Sequence, residues 1–284
     1  MSAEVQANAE DALRTIGVLD ADAIDPIDGA LWLAKWAEPS LNLDPYRRHI
    51  DTLVSDARAY LADDRRDDAL ALEAARQILD RRYGYRGAQS SSQRNDEANI
   101  TRTIDRRRGN ATVLALMYRH VLRALEREVV MIDFAPRTLV GVFTGGTRTL
   151  IDPFDGGRIV HARELRRLLK AHQGESGELT PRHLVPMTPR QALLSLQTDI
   201  KVHHLLHAAP EAALMAVQAA VLIAPDEAYL WRELALLHER LDQLLDATRA
   251  LERFLQLPGG AAHRYTASQM LQTLRRRIES NRTP

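Results

Sequence analysis

The segment RRRGNATVLALMYRHVL, residues 106–122, joins a polar glycine–asparagine step to a long apolar stretch with helical spacing. Asn110 is a good N-cap residue, and the helix after it presents unpaired N–H groups and a partial positive charge. Such a helix start can hold an anion or lower the pKa of a thiol. The residues placed to use it are Ala111 and Thr112. What this helix start does therefore decides whether the chain is an enzyme.

The composition excludes several classes of function. The 284 residues include 38 basic and 38 acidic side chains, so the formal net charge is zero. We expect neither nucleic acid nor a membrane as a partner, because both require a basic field. Without cysteine there is no disulfide, thiolate metal site or cysteine nucleophile. The N-terminus does not follow the plan of a signal peptide, and no apolar run approaches the ~18 residues of a membrane helix. We expect a cytoplasmic protein without a cofactor.

The part of the chain before the central segment predicts helices. Apolar residues recur with helical spacing in residues 28–38, 44–61 and 67–84, and Asp44–Pro45 suits the start of a helix. Residues 84–97 are rich in glycine and serine and predict a loop. A short helix over 98–108 then leads to Gly109.

The central part predicts a helix on a small sheet. An apolar stripe covers residues 109–125, and its width predicts burial along most of the helix. Three β-branched segments follow at 128–134, 138–144 and 147–151, and Gly145–Gly146 is a two-residue hairpin signal. We therefore predict an antiparallel sheet of about three strands, closed by an amphipathic helix over 161–172.

The last third of the chain predicts helical repeats. Three prolines and a glycine within residues 176–189 indicate a linker. Beyond it, residues 190–284 resemble tetratricopeptide repeats, because small and large residues recur at matching places in two helix pairs. These residues are Ala213, Ala220 and Pro225, followed by Ala247, Phe254 and Pro258. The predicted fold is therefore α+β over residues 1–175, followed by an all-α repeat domain.

Two segments make the chain resemble a known family. NDEANITRTIDRRRGNATVLALMYRHVL, and after a β region LIDPFDGGRIV, are similar to the SirB1 family, which joins a transglutaminase-like domain to tetratricopeptide-type repeats. The resemblance covers about residues 29–279 and is strongest at 105–110 and 151–157. It implies a transglutaminase-like core and a structural motif. The motif residues are Asp105, Arg106, Arg107, Arg108, Gly109, Asn110, Asp152, Pro153, Gly156 and Gly157.

The resemblance also implies where a catalytic triad would lie. Such a core has a cysteine at the helix start, a histidine on a following strand and an aspartate on the next. Here these positions correspond to Ala111, Arg137 and Asp152. Alanine cannot attack a substrate, and arginine cannot act as a base near neutral pH. We therefore expect a degenerate triad and no catalytic residue.

Two further predictions concern the polar residues near this position. Arg137 and Asp152 should lie close enough to pair, as a salt bridge in the former groove, a site for an acidic ligand or an ordinary cross-strand pair. The arginines at 106–108 are expected to tie the loop before the helix to carboxylates such as Asp152.

Two function classes remain open. The first is a non-catalytic interaction or regulatory protein that binds an unidentified protein partner through residues 190–284. The second is a hydrolase or acyltransferase with an unrecognised nucleophile, but Thr112 and His120 lie about 12 Å apart along one helix and cannot pair. His203 and His207 have the i, i+4 spacing of a metal pair. The first acidic residue after His207 is Glu211, and we expect an ordinary helix surface.

Overall fold

The computed structural model describes residues 2–61, 68–88, 97–174 and 176–281, in two compact units. The mixed unit comprises residues 21–35 and 40–196, and the repeat unit comprises residues 1–20, 36–39 and 197–284. The first contains helices and a small antiparallel sheet, and the second is helical. The predicted α+β class with a repeat tail is confirmed. None of the described helices is long and apolar enough to cross a bilayer.

Helices form the first part of the mixed unit, as predicted. They are α2 (Pro26–Ala37), whose last two residues belong to the repeat unit, α3 (Asp44–Leu61), α4 (Asp68–Arg76) and α5 (Ile100–Arg106). Helix α3 has the predicted bounds, and its apolar stripe from Ile50 to Leu61 is buried as the spacing predicts. After α4 the chain continues as a π-helical turn, Gln77–Arg82.

Helix α6 (Ala111–Ala124) is the central helix of the mixed unit, and it is buried along most of its length. The Asn110 side chain accepts a hydrogen bond from the Val113 N–H at 2.8 Å, so this residue caps the helix as its type predicts. The short strands β1 (Arg86–Gly87) and β2 (Arg108–Gly109) pair in parallel just before the helix start.

The main sheet has five antiparallel strands rather than about three. They are β3 (Val129–Phe134), β4 (Arg137–Thr144), β5 (Thr147–Asp152), β6 (Arg158–Ile159) and β7 (Pro186–Met187), in the order β6-β5-β4-β3-β7. The three predicted strands are confirmed. The β4–β5 turn uses Gly145 and Gly146, both with positive φ, as a two-residue hairpin requires.

The sheet separates two layers. Helix α6 packs against β3 and β4 on one face, as predicted. On the other face, Ile132, Phe134 and Leu139 pack with Leu165 and Leu169 of helix α7 (Ala162–Gln173). Strand β4 therefore has apolar neighbours on both faces. The candidate functional site lies at the beginning of this strand.

The predicted linker, residues 176–189, is partly built into the sheet. Its described residues include a 3₁₀ turn, Pro181–Leu184, and strand β7, which pairs with β3 at Ile132–Pro186 and Met131–Met187. Proline is compatible with an edge strand because its missing N–H need not pair there. The boundary between the units therefore lies after Leu196, inside helix α8 (Pro189–Leu206), and not at 176–189.

The repeat unit contains an element from the beginning of the chain. Helix α1 (Ser2–Val18) packs against α9 (Pro210–Ile223), although the sequence predicts one domain over residues 1–175. A Cβ on Gly17 would lie 2.2 Å from the Leu222 carbonyl oxygen, so only glycine permits this approach. The other helices are α10 (Ala228–Arg240), α11 (Leu244–Gln256) and α12 (Arg264–Ser280).

Candidate functional site

The motif segments 105–110 and 152–157 are linked through strand β1. Arg108–Gly109 pairs with Arg86–Gly87, and a Cβ on Gly87 would lie 2.3 Å from the Phe154 ring. A Cβ on Gly109 would lie 2.7 Å from the side chain of Thr103. These glycines are therefore fixed by close packing, which is a structural role for the motif.

The second motif segment is a tight turn. Asp152 Oδ1 accepts a hydrogen bond from the Phe154 N–H at 3.0 Å, and buried Pro153 opens a 3₁₀ turn. Gly156 and Gly157 have φ values of 63° and 72°, in the left-handed region. A Cβ at these positions would lie 2.7 Å from the Asp80 carboxyl carbon and 2.6 Å from the Tyr118 ring, respectively. Both glycines are required by backbone conformation and by space.

Arg107 and Arg108 hold the loop before α6 in a different way from the prediction. Arg107, at φ 58°, donates through Nη1 to Tyr85 Oη, and His49 Nε2 lies 2.8 Å from the same nitrogen. Burial, and then the charge of Arg107, lowers the pKa of His49. Arg108 Nη1 donates to the Gly84 carbonyl at 2.8 Å.

The remaining residues of the first motif lie at the edge of this loop. Arg106 ends α5. Asp105 Oδ2 accepts a hydrogen bond from Tyr46 Oη at 3.2 Å. Arg107 and Arg108 contact backbone carbonyls, Tyr85 and His49 rather than Asp152. The pairing of β2 with β1 places these two arginines beside residues 84–86.

Arg137 and Asp152 form the predicted pair. Arg137 Nε donates to Asp152 Oδ2 at 3.2 Å, and the guanidinium lies over the Phe154 ring, 4.2 Å from its centroid. The Asp152 side chain is 4% exposed and that of Arg137 is 27% exposed. Burial raises the pKa of Asp152 more than the Arg137 charge and the Phe154 N–H lower it.

The hydroxyl next to Ala111 is paired on the opposite face of β4. Thr112 Oγ1 lies 2.9 Å from Thr138 Oγ1, and both side chains are buried. Because strand residues alternate between faces, Thr138 points toward α6 and Arg137 points toward the α7 face. Thr138 is therefore the β4 residue that meets the helix start, and Arg137 lies on the other face of the strand.

Among the described residues at the helix start, the hydroxyl of Thr112 is not paired with a base. A nucleophile requires a base within hydrogen-bond reach, and the partner of Thr112 is another hydroxyl. Ala111 opens the helix with a methyl group. His120 lies two turns further along α6, where burial lowers its pKa.

A cavity of about 790 Å³ lies beside the Arg137–Asp152 pair. We call it the arginine cavity. Six arginines and four acidic residues line it, together with Gly87, Ala88, Phe154 and Leu168. The arginines are Arg86, Arg106, Arg108, Arg137, Arg158 and Arg167.

The histidine pair His203 and His207 lies near the end of α8. The two rings stack with centroids 4.2 Å apart, and His207 Nδ1 lies 2.8 Å from the His203 carbonyl oxygen. Within the described ranges, no group of three or more His, Cys, Asp or Glu residues could hold a metal ion.

Sequence reasoning missed three contributors to this site. Phe154 supports Arg137, and Arg86 and Arg158 complete the cavity wall. Phe154 lies inside the recognised motif, so its ring was an available signal. Arg86 lies in a segment predicted as a loop, and its pairing with β2 has no local sequence pattern.

Comparison with known proteins gives a consistent result for both units. A family model described as the transglutaminase-like superfamily matches residues 44–198, and a tetratricopeptide repeat model matches residues 200–272. A UPF0162 protein of Pseudomonas aeruginosa is 29% identical over 258 residues, which cover 89% of this chain and 93% of that protein. A UPF0162 protein of Vibrio cholerae is 24% identical over 223 residues, covering 78% and 82%. No solved structure matches the chain.

Proposed function

Because the chain belongs to the transglutaminase-like superfamily, we propose that it is a non-catalytic, SirB1-type interaction protein. In this proposal the transglutaminase-like domain has lost its nucleophile and base. The repeats then bind a segment of a protein partner, which is the general use of tetratricopeptide arrays.

The observation that carries the proposal is the Thr112–Thr138 contact. Two buried hydroxyls at 2.9 Å satisfy each other, and neither can remove a proton from the other near neutral pH. The remaining triad position, Asp152, has its oxygens occupied by Arg137 and the Phe154 N–H. A hydrolase or acyltransferase would need a nucleophile next to a base, and the described residues in this part of the groove supply no such pair.

The repeat unit supports the binding half of the proposal. Tyr229 and Leu236 are exposed on α10 and lie seven residues apart, so they share one face of that helix. Leu236 is 40% exposed, although most large apolar residues of the unit are buried. Apolar side chains on one helix face provide the anchor residues that a partner segment can bind.

The catalytic half is tested by an activity measurement on the intact chain. We expect no turnover of generic amide and ester substrates, and none in amine transfer to a glutamine peptide. Hydrolysis that disappears in Thr112→Ala would contradict the proposal and establish the hydrolase or acyltransferase alternative.

The binding half is tested by a pull-down with point variants. Leu236→Arg should reduce recovery of a saturable partner, whereas Leu245→Arg on α11, at a residue 54% exposed, serves as the matched control. Point variants are preferable to deletion of residues 190–284, because deletion would remove α9 from the buried face of α1. Equal recovery with both variants would contradict binding through the α10 face.

A further inference from the structure

The arginine cavity has a small excess of positive charge in a protein whose net charge is zero. Among the described residues, six guanidinium groups and four carboxylates line it. Asp80, outside the lining, pairs with Arg86, with 3.0 Å between Nη2 and Oδ2, and reduces the excess from two charges to one. The site therefore suits a ligand with one negative charge more than one with two.

The wall residues differ in how fully their donors are used. Arg158 donates to Asp155 from Nε at 2.7 Å and to Glu164 from both terminal nitrogens. All three nitrogens of this guanidinium are therefore engaged by carboxylates of the protein. Arg167, in contrast, is 75% exposed and makes one 3.3 Å contact with Glu164.

Arg137 has the geometry of a ligand-binding arginine. Its Nε is fixed by Asp152 and its plane rests on Phe154, so the guanidinium is oriented before any ligand arrives. Among the described residues, its Nη1 and Nη2 have no hydrogen-bond partner. Two parallel N–H donors on a planar, preorganised guanidinium match the two oxygens of a carboxylate.

We propose that the arginine cavity binds a carboxylate, which Arg137 holds through Nη1 and Nη2. The carboxylate belongs to an acidic peptide side chain or to a small free acid, since both present the same group. This site goes beyond the proposed repeat-mediated interaction, because it lies within the mixed unit and uses none of the α10 residues.

The experiment uses ligand-observed NMR on the full chain at low ionic strength. The probes are a capped Gly-Glu-Gly peptide, its Gly-Gln-Gly isostere, butyrate and inorganic phosphate. We expect the glutamate peptide or butyrate to bind, and the glutamine peptide to bind at least about tenfold more weakly. Tighter binding of the peptide identifies a peptide side chain as the source, and tighter binding of butyrate identifies a free acid.

Three variants locate the site. Arg137→Lys keeps the charge beside Asp152 but loses the two parallel N–H donors of the guanidinium. We expect the affinity for the carboxylate to fall about tenfold. Arg167→Glu reverses a charge at the rim and should also weaken binding. Its matched control is Arg249→Glu in the repeat unit, where the arginine is 77% exposed and has a similar i, i+3 contact of 3.2 Å. Circular dichroism and thermal unfolding establish that each variant is folded.

Several results would overturn the proposal. These are equal binding of the two peptides, tighter binding of phosphate than of either carboxylate, or equal losses in Arg167→Glu and Arg249→Glu. Leu236→Arg is expected to leave carboxylate binding unchanged, so failure of the repeat proposal and failure of this one are distinguishable.

Discussion

Thr138 and Arg137 are neighbours on strand β4, yet they have opposite surroundings. Thr138 pairs with Thr112 in a buried, neutral contact against α6. Arg137 pairs with Asp152 in a charged contact at the wall of a cavity. The strand pleat alone separates the two, because consecutive side chains project to opposite faces.

In the non-catalytic function that we propose, this difference separates the two faces of one strand end. The face toward the helix start is closed by two hydroxyls that satisfy each other. The other face keeps an oriented guanidinium with donors available to a ligand. The two faces of the strand end therefore have independent chemistry.

The largest expected effect comes from breaking the charged contact. Arg137→Ala leaves the Asp152 carboxylate buried without its cation, and we expect a loss of about 2–4 kcal/mol in the free energy of unfolding. The partial exposure of Arg137 keeps this below the value for a fully buried pair. Chemical denaturation measures it, and a loss below about 0.5 kcal/mol would show that the pair is a surface contact.

A double-mutant cycle sharpens this result. Asp152→Asn retains an oxygen that can accept from the Phe154 N–H, so we expect a smaller loss, about 1 kcal/mol. Arg137→Ala combined with Asp152→Asn should cost less than the sum of the single changes, because no charge is left buried. Additive losses would contradict the coupling.

The neutral contact should show an intermediate effect. Thr112→Val leaves the Thr138 hydroxyl buried without a partner, which costs about 1–2 kcal/mol. The double variant Thr112→Val with Thr138→Val has the same shape and no unsatisfied hydroxyl, so its stability should return toward that of the wild type. Thermal and denaturant unfolding of the four proteins test this; a double variant less stable than either single one would contradict it.

The smallest expected effect is the dependence on pH. Burial raises the pKa of Asp152 in the folded chain above its value in the unfolded chain, so the folded state binds this proton more readily. Stability from this group is full below the unfolded pKa and is lost as pH rises through the folded pKa. Wild type should therefore gain stability relative to Asp152→Asn on acidification from neutrality. Denaturant unfolding across that range measures the difference, and the opposite slope would contradict it.

Much of the mixed unit is predictable because its local patterns agree with its packing. Helix α3 and strands β3, β4 and β5 follow from apolar spacing, and the β4–β5 turn follows from Gly145–Gly146. The pairing of Arg137 with Asp152 was also predictable, since the family resemblance brings two adjacent strand ends together. In each case the deciding residues are close in sequence or belong to a recognised motif.

The features that escaped prediction depend on distant contacts. Leu139, Val140 and Val142 are all fully buried, so β4 has no polar alternation to show which face meets α6. A shift of one residue in the predicted orientation of the strand then places Arg137, rather than Thr138, at the helix start. Strands β1, β2 and β7 have two residues each, which is too short for a periodic signal.

The division of the chain also sets an order of events during synthesis. Helix α1 emerges before the mixed unit, but its buried residues Ala9, Leu13 and Ile16 belong to a unit whose other helices are made after it. The mixed unit is complete by Leu196 and can fold in between, as an insertion within the repeat unit. Until α9 has been synthesised, the apolar face of α1 therefore lacks the helix that covers it in the folded unit.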